Sequence, residues 1–249
     1  MSNVLLDRLR PEAQAVMDNH PVEGLPTVDI IMATMRPEFK ERFVAQINAQ
    51  TVHVGRVVIS PQGYTEEDIQ YLKDNLHAEV VIVPLPDPID SLGERHNKLT
   101  LQTTADWVAI FDDDDLYYPN YLHGQLAQLM ETSTKVTAKA NVVCKHLGLN
   151  KVGFLLPELV FVKNQRGMGG TIVFHKDAYI AAGGFRDLSS GYDMVFLRDA
   201  YLGGCDFGPG DPFNYVVVRG VEGGHTWYLG DTDLGDVRFN SIQIEEVEL

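Results

Sequence analysis

Four short apolar stretches, each separated from the next by a segment with helical periodicity, set the tightest limit on what this chain can fold into. TVDIIMAT (27–34), RVVIS (56–60), EVVIVPL (79–85) and WVAIF (107–111) are rich in β-branched residues and read as buried strands. Phe39, Phe43 and Ile47 recur every four residues in the first interval, which is one face of a helix. In the second, Thr65 followed by Asp68 spells a capping box ahead of Ile69, Leu72 and Leu76. SLGERHNKLTLQTT (91–104) fills the third as a helix. Alternation at this spacing predicts crossover units and an α/β fold: a mostly parallel, Rossmann-like sheet with helices on both faces. Ligands of such sheets bind beyond the carboxyl ends of the strands.

Just past the fourth strand come Asp112, Asp113, Asp114 and Asp115. Two like charges about 4 Å apart cost roughly 1 kcal/mol in water and about 4 kcal/mol at a partly buried site, so the run needs positive compensation. In an extended chain Asp112 and Asp114 share one face, and Asp113 and Asp115 the other. One such pair can grip a hard divalent cation and leave room in its shell for phosphate oxygens and water. A calcium loop of the EF-hand type fits poorly, since Leu116, Tyr117 and His123 stand where an oxygen ligand, Gly and Glu are needed. The structural alternative is a solvated acidic turn capping a helix after Pro119. One aspartate would suffice for that.

The second half changes character. Leu122, Leu126 and Leu129 mark a helix, VTAKANVV (136–143) alternates in part, GTIVFH (170–175) and YVVVR (215–219) read as strands, and glycines break the chain between them. These segments are expected to cover the end of the sheet as an added subregion. The first twenty-five residues read as a helical or irregular lead-in, and 231–249 as an acidic tail. The formal net charge of −15 argues against a protein that lives on phosphate backbones, without excluding a local basic groove. Two cysteines, Cys144 and Cys205, give no disulfide framework, and the N-terminus lacks an apolar signal core. A soluble, cytoplasmic protein is the expectation.

Several segments, in order, resemble the family 2 nucleotide-sugar-dependent glycosyltransferases of the GT-A fold. They are TMRP (34–37), NAQT (48–51), GERHN (93–97), ADWVAIFDDDDLYYPNYL (105–122), GGTIVFHKDAYIAAGGF (169–185), GYDMVFLRDAYLGG (191–204) and GGHTW (223–227). The resemblance spans residues 27 to 229. It implies one GT-A-type domain over 26–230, with a nucleotide-binding half (26–115) and an acceptor half (116–230).

The activity implied is sugar transfer from a nucleoside diphosphate sugar to an acceptor hydroxyl, with Mn2+ or Mg2+ offsetting charge on the departing diphosphate. Asp114 is the implied metal ligand, with His225 a second; Asp112 would touch the ribose or the metal, and Asp113 belongs to the same nucleotide-sugar motif. Thr34 and Arg36 would line the nucleotide crevice, and Arg95 would hold base or diphosphate. Asp193 is the implied general base in an inverting displacement, and Gly169 and Gly170 let the backbone approach sugar or acceptor.

Two departures stand out. Ser60 and Gln62 occupy the strand end where the family carries an aspartate that reads the nucleobase, which leaves the nucleotide open, although a UDP-sugar is favoured. Tyr192 replaces the Glu of a Glu-Asp pair. The acceptor stays open among saccharides, small molecules and hydroxymethylated nucleobases. Two other readings compete: a nucleotidyltransferase, disfavoured because TMRPEFK lacks the glycines such enzymes carry after the first strand, and a non-catalytic binder of sugar nucleotides.

Overall fold

A computed structural model of the protein describes residues 2–84, 90–147, 151–155, 167–219 and 237–239. Helix α1 (Ser2–Asn19) leads in. Strand β1 (Val28–Thr34), helix α2 (Lys40–Asn48), strand β2 (Val54–Pro61), helix α3 (Glu66–Asn75), strand β3 (Glu79–Ile82), helix α4 (Leu92–Thr100) and strand β4 (Trp107–Ile110) then alternate as expected. The capping box is present: Asp68 N–H donates to Thr65 Oγ1 (3.2 Å) and Thr65 N–H to Asp68 Oδ2 (3.0 Å). Helix α4 stops at Thr100, short of the expected 104. Leu101 beyond it is solvent-exposed, so no apolar face continues the helix.

Strands β3, β2, β1 and β4 pair in that order and all in parallel. Their side chains divide by parity, as a pleated strand demands. Val28, Ile30 and Met32 of β1 pack with Phe43, Val44 and Ile47 of α2 and Leu72 of α3. Ile31 packs instead with Leu99 of α4 on the opposite face. Burial on both sides explains why residues 30–33 of β1 read as an unbroken apolar run. At the amino ends of the strands, buried Asp29 accepts hydrogen bonds from the backbone N–H groups of Arg56 (2.8 Å), Thr104 (2.6 Å) and Ala105 (2.9 Å). It thereby ties together β1, the start of β2 and the approach to β4.

The second half runs through β5 (Leu116–Tyr117), α5 (Tyr121–Thr132), β6 (Val136–Thr137), β7 (Val142–His146), β8 (Lys151–Leu155), β9 (Val173–His175), α6 (Lys176–Ala182), α7 (Tyr192–Leu202), β10 (Phe207–Gly208), β11 (Tyr215–Arg219) and β12 (Val237–Phe239). Strands β9, β6 and β10 extend the first sheet to seven strands. A second sheet forms in the order β12-β8-β7-β11-β5. The partly alternating stretch 136–143 divides between the two sheets.

Lys139 explains the division. Its N–H donates to Thr171 Oγ1 (2.9 Å), its carbonyl accepts from Met168 N–H (3.0 Å), and its buried ammonium meets Asp211 Oδ1 at 3.0 Å. Helix α1 buries Leu6, Leu9 and Ala13 against Val143, Phe213 and Val216 of the second-sheet region. Among the described residues, no helix is long and apolar enough to cross a membrane.

Replacing Asp29 by Ala removes the buried acceptor of three part-buried backbone donors while leaving the carboxyl ends of the strands untouched. We expect Asp29→Ala to lower unfolding free energy in urea by about 3 kcal/mol, with the slope of the transition unchanged.

Candidate functional site

The strand order 3-2-1-4 reverses direction between β1 and β4, and a doubly wound sheet opens its ligand crevice at such a reversal. The crevice here is lined by Thr34 and Arg36 from the end of β1, by Arg95 of α4, by Asp112, Asp113 and Asp114 after β4, and by Arg219 at the end of β11. The chain bends over 113–115, immediately after β4, and the alternation expected of an extended aspartate run ends there. Asp112, Asp114 and Asp115 each bring a carboxylate oxygen within 4.8 Å of the other two. Asp115 therefore joins the pair from which extended geometry would have separated it, and Asp113 alone turns aside.

Each carboxylate has its own surroundings. Asp113 accepts from Thr34 Oγ1 (2.5 Å) and pairs with Arg36 Nη1 (2.5 Å), and its carbonyl accepts from Arg42 Nη2 (2.8 Å). Burial nevertheless holds its carboxyl above the usual range. Arg36 also reaches Asp114 Oδ2 with Nη2 at 3.5 Å, so one guanidinium spans two of the four charges. Arg36 makes no side-chain cap to the turn that follows it.

Asp115 is fully buried. It accepts from Tyr215 OH, from Val218 N–H (3.0 Å) and from Arg219 Nη1 (2.9 Å). The antiparallel pairing of β5 with β11 puts it there, with Tyr117 opposite Tyr215. Asp112 and Asp114 remain on the crevice wall. Burial raises the Asp112 carboxyl well above its ordinary value, and the charges of Asp114 and Asp115 push the same way. A crowded all-oxygen donor set whose charges repel suits a hard divalent cation, and these residues fit the Mn2+ or Mg2+ that the resemblance implied.

Arg95 is buried, not a helix-surface arginine. Its Nη2 donates to the Ser60 carbonyl at 2.7 Å, so Ser60 enters as a backbone support with a buried side chain. Its neighbour His96 donates through Nδ1–H to the Leu92 carbonyl (2.7 Å) and stacks on Tyr192 with ring centres 4.8 Å apart. Burial pushes the His96 imidazole down to about 4, so it is neutral near pH 7.

Tyr192 opens α7 and is followed by Asp193, whose Oδ1 accepts from Met194 N–H (2.8 Å). Asp193 does not cap α7; Gly191 holds that position. Burial raises the Asp193 carboxyl, against the pull of backbone N–H groups.

The Gly169–Thr171 turn joins the two carboxylate regions. A Cβ on Gly170 would lie 2.6 Å from Asp112 Oδ2, and one on Gly169 would lie 3.0 Å from Asp193 Oδ2. Tyr117 secures this contact by accepting from Asp112 N–H (2.9 Å) and donating to the Gly170 carbonyl (2.8 Å). Thr34, Arg36, Arg95, Asp112, Asp113 and Asp114 thus line one crevice. Gly170 adjoins it, and Asp193 lies on the far side of the same turn. His225 falls outside the described residues. Sequence reasoning did not single out Arg219 or Arg42. Only the need for positive charge near the aspartates hinted at them.

No protein-family model matches the chain, and no curated protein matches its sequence. Solved glycosyltransferases do match its backbone. S. aureus TarS 1–349 in complex with UDP-GlcNAc is 17% identical, with a TM-score of 0.63 over 82% of this chain and 62% of that one. A mannosyltransferase from Pyrobaculum calidifontis in complex with GDP-Man and Mn2+ is 14% identical, with a TM-score of 0.60 over 90% of this chain and 70% of that one. The chain therefore has the GT-A-type fold, and spans less than two thirds of the TarS fragment.

A carboxyl whose pKa is raised by folding contributes stability at low pH that is lost as pH rises through the folded value. For Asp112 that penalty is relieved when a cation replaces the proton. The rise in melting temperature produced by Mn2+ should therefore grow as pH increases above the ordinary carboxylate range. Gly170→Ala, by displacing the Asp112 carboxylate, should weaken Mn2+ binding by about tenfold in a calorimetric titration.

Proposed function

We propose that this chain transfers a sugar from a nucleoside diphosphate sugar to an acceptor hydroxyl, with a divalent cation and inversion of the sugar carbon. The observation that carries the reading is the convergence of Asp112 and Asp114 with two arginines, Arg36 and Arg95, at the β1/β4 crevice. When bound, the cation would offset the charge that builds on the departing diphosphate. Asp114, with Asp112 beside it, would hold the ion. His225 is proposed as a further ligand, and an imidazole in the set favours Mn2+ over Mg2+.

Thr34 and Arg36 line the nucleotide side, their positions fixed through Asp113. Arg95, braced by Ser60, is assigned to the base or diphosphate through its planar guanidinium. Four guanidinium groups, of Arg36, Arg42, Arg95 and Arg219, face four carboxylates in and behind the crevice, so without metal it offers a diphosphate no net attraction. A divalent cation makes the balance positive. The two complexes described above held UDP-GlcNAc and GDP-Man, which supports a nucleoside diphosphate donor; UDP is the favoured one here.

On the acceptor side, Asp193 would take the proton of the hydroxyl as its oxygen attacks. A carboxyl raised by burial is better matched to that task than an exposed one. Gly169 and Gly170 let the Asp193 and Asp112 carboxylates pack closely on either side of one turn, where a side chain at either glycine would crowd them. We assign donor binding to residues 26–115, acceptor binding to 116–230, and a cytoplasmic setting to the whole.

Incubation with UDP- and GDP-sugars and Mn2+ should release nucleoside diphosphate slowly even without an acceptor. Asp114→Ala should abolish this release. Asp193→Asn should lower it by about a hundredfold with donor affinity within about twofold of the parent. Release that persists in Asp114→Ala and in the presence of chelator would overturn the metal-dependent reading.

A further inference from the structure

Arg219 on the crevice wall and Asp115 behind it are the least expected parts of the acidic cluster. Three carboxylates converge closely enough to share one cation, which would suggest Asp115 as a third ligand. Its surroundings argue otherwise. Asp115 lies behind the crevice wall, is fully buried, and has its oxygens engaged by Tyr215 OH, Val218 N–H and Arg219 Nη1. A ligand must turn lone pairs toward the ion, and those of Asp115 already serve donors of β11.

Arg219 differs from its anchor. Its Nη1 is held by Asp115 Oδ1 (2.9 Å) and by the Val218 carbonyl (2.6 Å), yet its side chain lines the same crevice as Asp112 and Asp114. A cation fixed beside the cluster, on a rigid strand of the second sheet, is oriented before any ligand arrives. Both Nη1 hydrogens are committed there and Nε is buried, so what Arg219 presents to a phosphate group is a positive charge held in a fixed place.

We propose that Arg219 binds the diphosphate of the donor nucleotide, and that Asp115 is a positioning residue that aims it and not a metal ligand. This rests on the transferase reading above and adds to it a second, permanent cation for the leaving group. The consequence is a split in sign. Arg219 repels a metal ion bound at Asp112 and Asp114 but attracts the diphosphate, so neutralising it should move the two affinities in opposite directions. Loss of a merely structural residue would weaken both.

The test measures Mn2+ alone by the loss of its free-ion EPR signal, and UDP and GDP in the presence of Mn2+ by calorimetry. In Arg219→Gln, Mn2+ should bind as tightly as in the parent or more tightly, and the nucleotide about tenfold or more weakly. The pair Asp115→Asn with Arg219→Gln should behave the same way, with no stranded buried charge to disturb folding. Arg219→Lys keeps both the charge and the partner for Asp115. It should leave Mn2+ affinity unchanged and weaken the nucleotide several-fold, because a flexible ammonium is not held in the same place.

Parent-like nucleotide affinity in Arg219→Lys and in the double variant would overturn the assignment. So would a fall in Mn2+ affinity in Asp115→Asn with Arg219→Gln, which would make Asp115 a ligand after all. A parent protein that binds neither UDP nor GDP with Mn2+ would instead refute the transferase reading itself.

Discussion

Four adjacent carboxylates at the end of a buried strand can persist only if something holds their charges apart or neutralises them, and the rest of this molecule is arranged around that demand. Arg36 comes from the first strand and spans Asp113 and Asp114. Arg219 comes from the second sheet and holds Asp115. The bend over 113–115 turns neighbouring side chains toward different partners instead of stacking them on two faces. Asp112 and Asp114 are left on the wall of the crevice, where a divalent ion would complete the neutralisation. The acidic run is thus a joint between two sheets as well as a candidate metal centre.

That joint also links the two sides of the proposed reaction. Tyr117, one residue past Leu116 on the strand that follows the run, stacks on Phe111 with ring centres 4.0 Å apart and hydrogen-bonds both Asp112 and Gly170. The Gly169–Thr171 turn is held from its other side by the Lys139 backbone, and Lys139 is locked by its buried pairing with Asp211. Such a buried pair is costly to break, because removing one member strands the other charge. Asp193 and Asp112 are in this way set across two glycines, on elements that have little freedom to drift.

Much of this was legible in the residues. The parallel half of the sheet followed from apolar runs and helical spacing, because burial on both faces writes itself as consecutive apolar residues. The capping box at Thr65 and Asp68 was local and therefore readable. The crevice followed from topology, and Thr34, Arg36, Arg95, Asp112, Asp113 and Asp114 do line it.

What escaped the sequence depended on contacts distant along the chain. The division of 136–143 between sheets turns on Asp211 and Thr171. The convergence of Asp115 with Asp112 turns on a bend whose partners, Tyr215 and Arg219, lie a hundred residues away. No periodicity carries such information. The run of four aspartates did announce that a counter-charge must exist, without saying where it would come from.

The central claim is that Asp112 and Asp114 hold a divalent cation that faces the diphosphate of a bound nucleotide. Anomalous diffraction at the manganese edge, from crystals grown with Mn2+ and UDP, tests it directly. The account predicts one strong peak in contact with carboxylate oxygens of Asp112 and Asp114 and with a phosphate oxygen. A nucleotide seated in the crevice with no anomalous peak at those aspartates would contradict it.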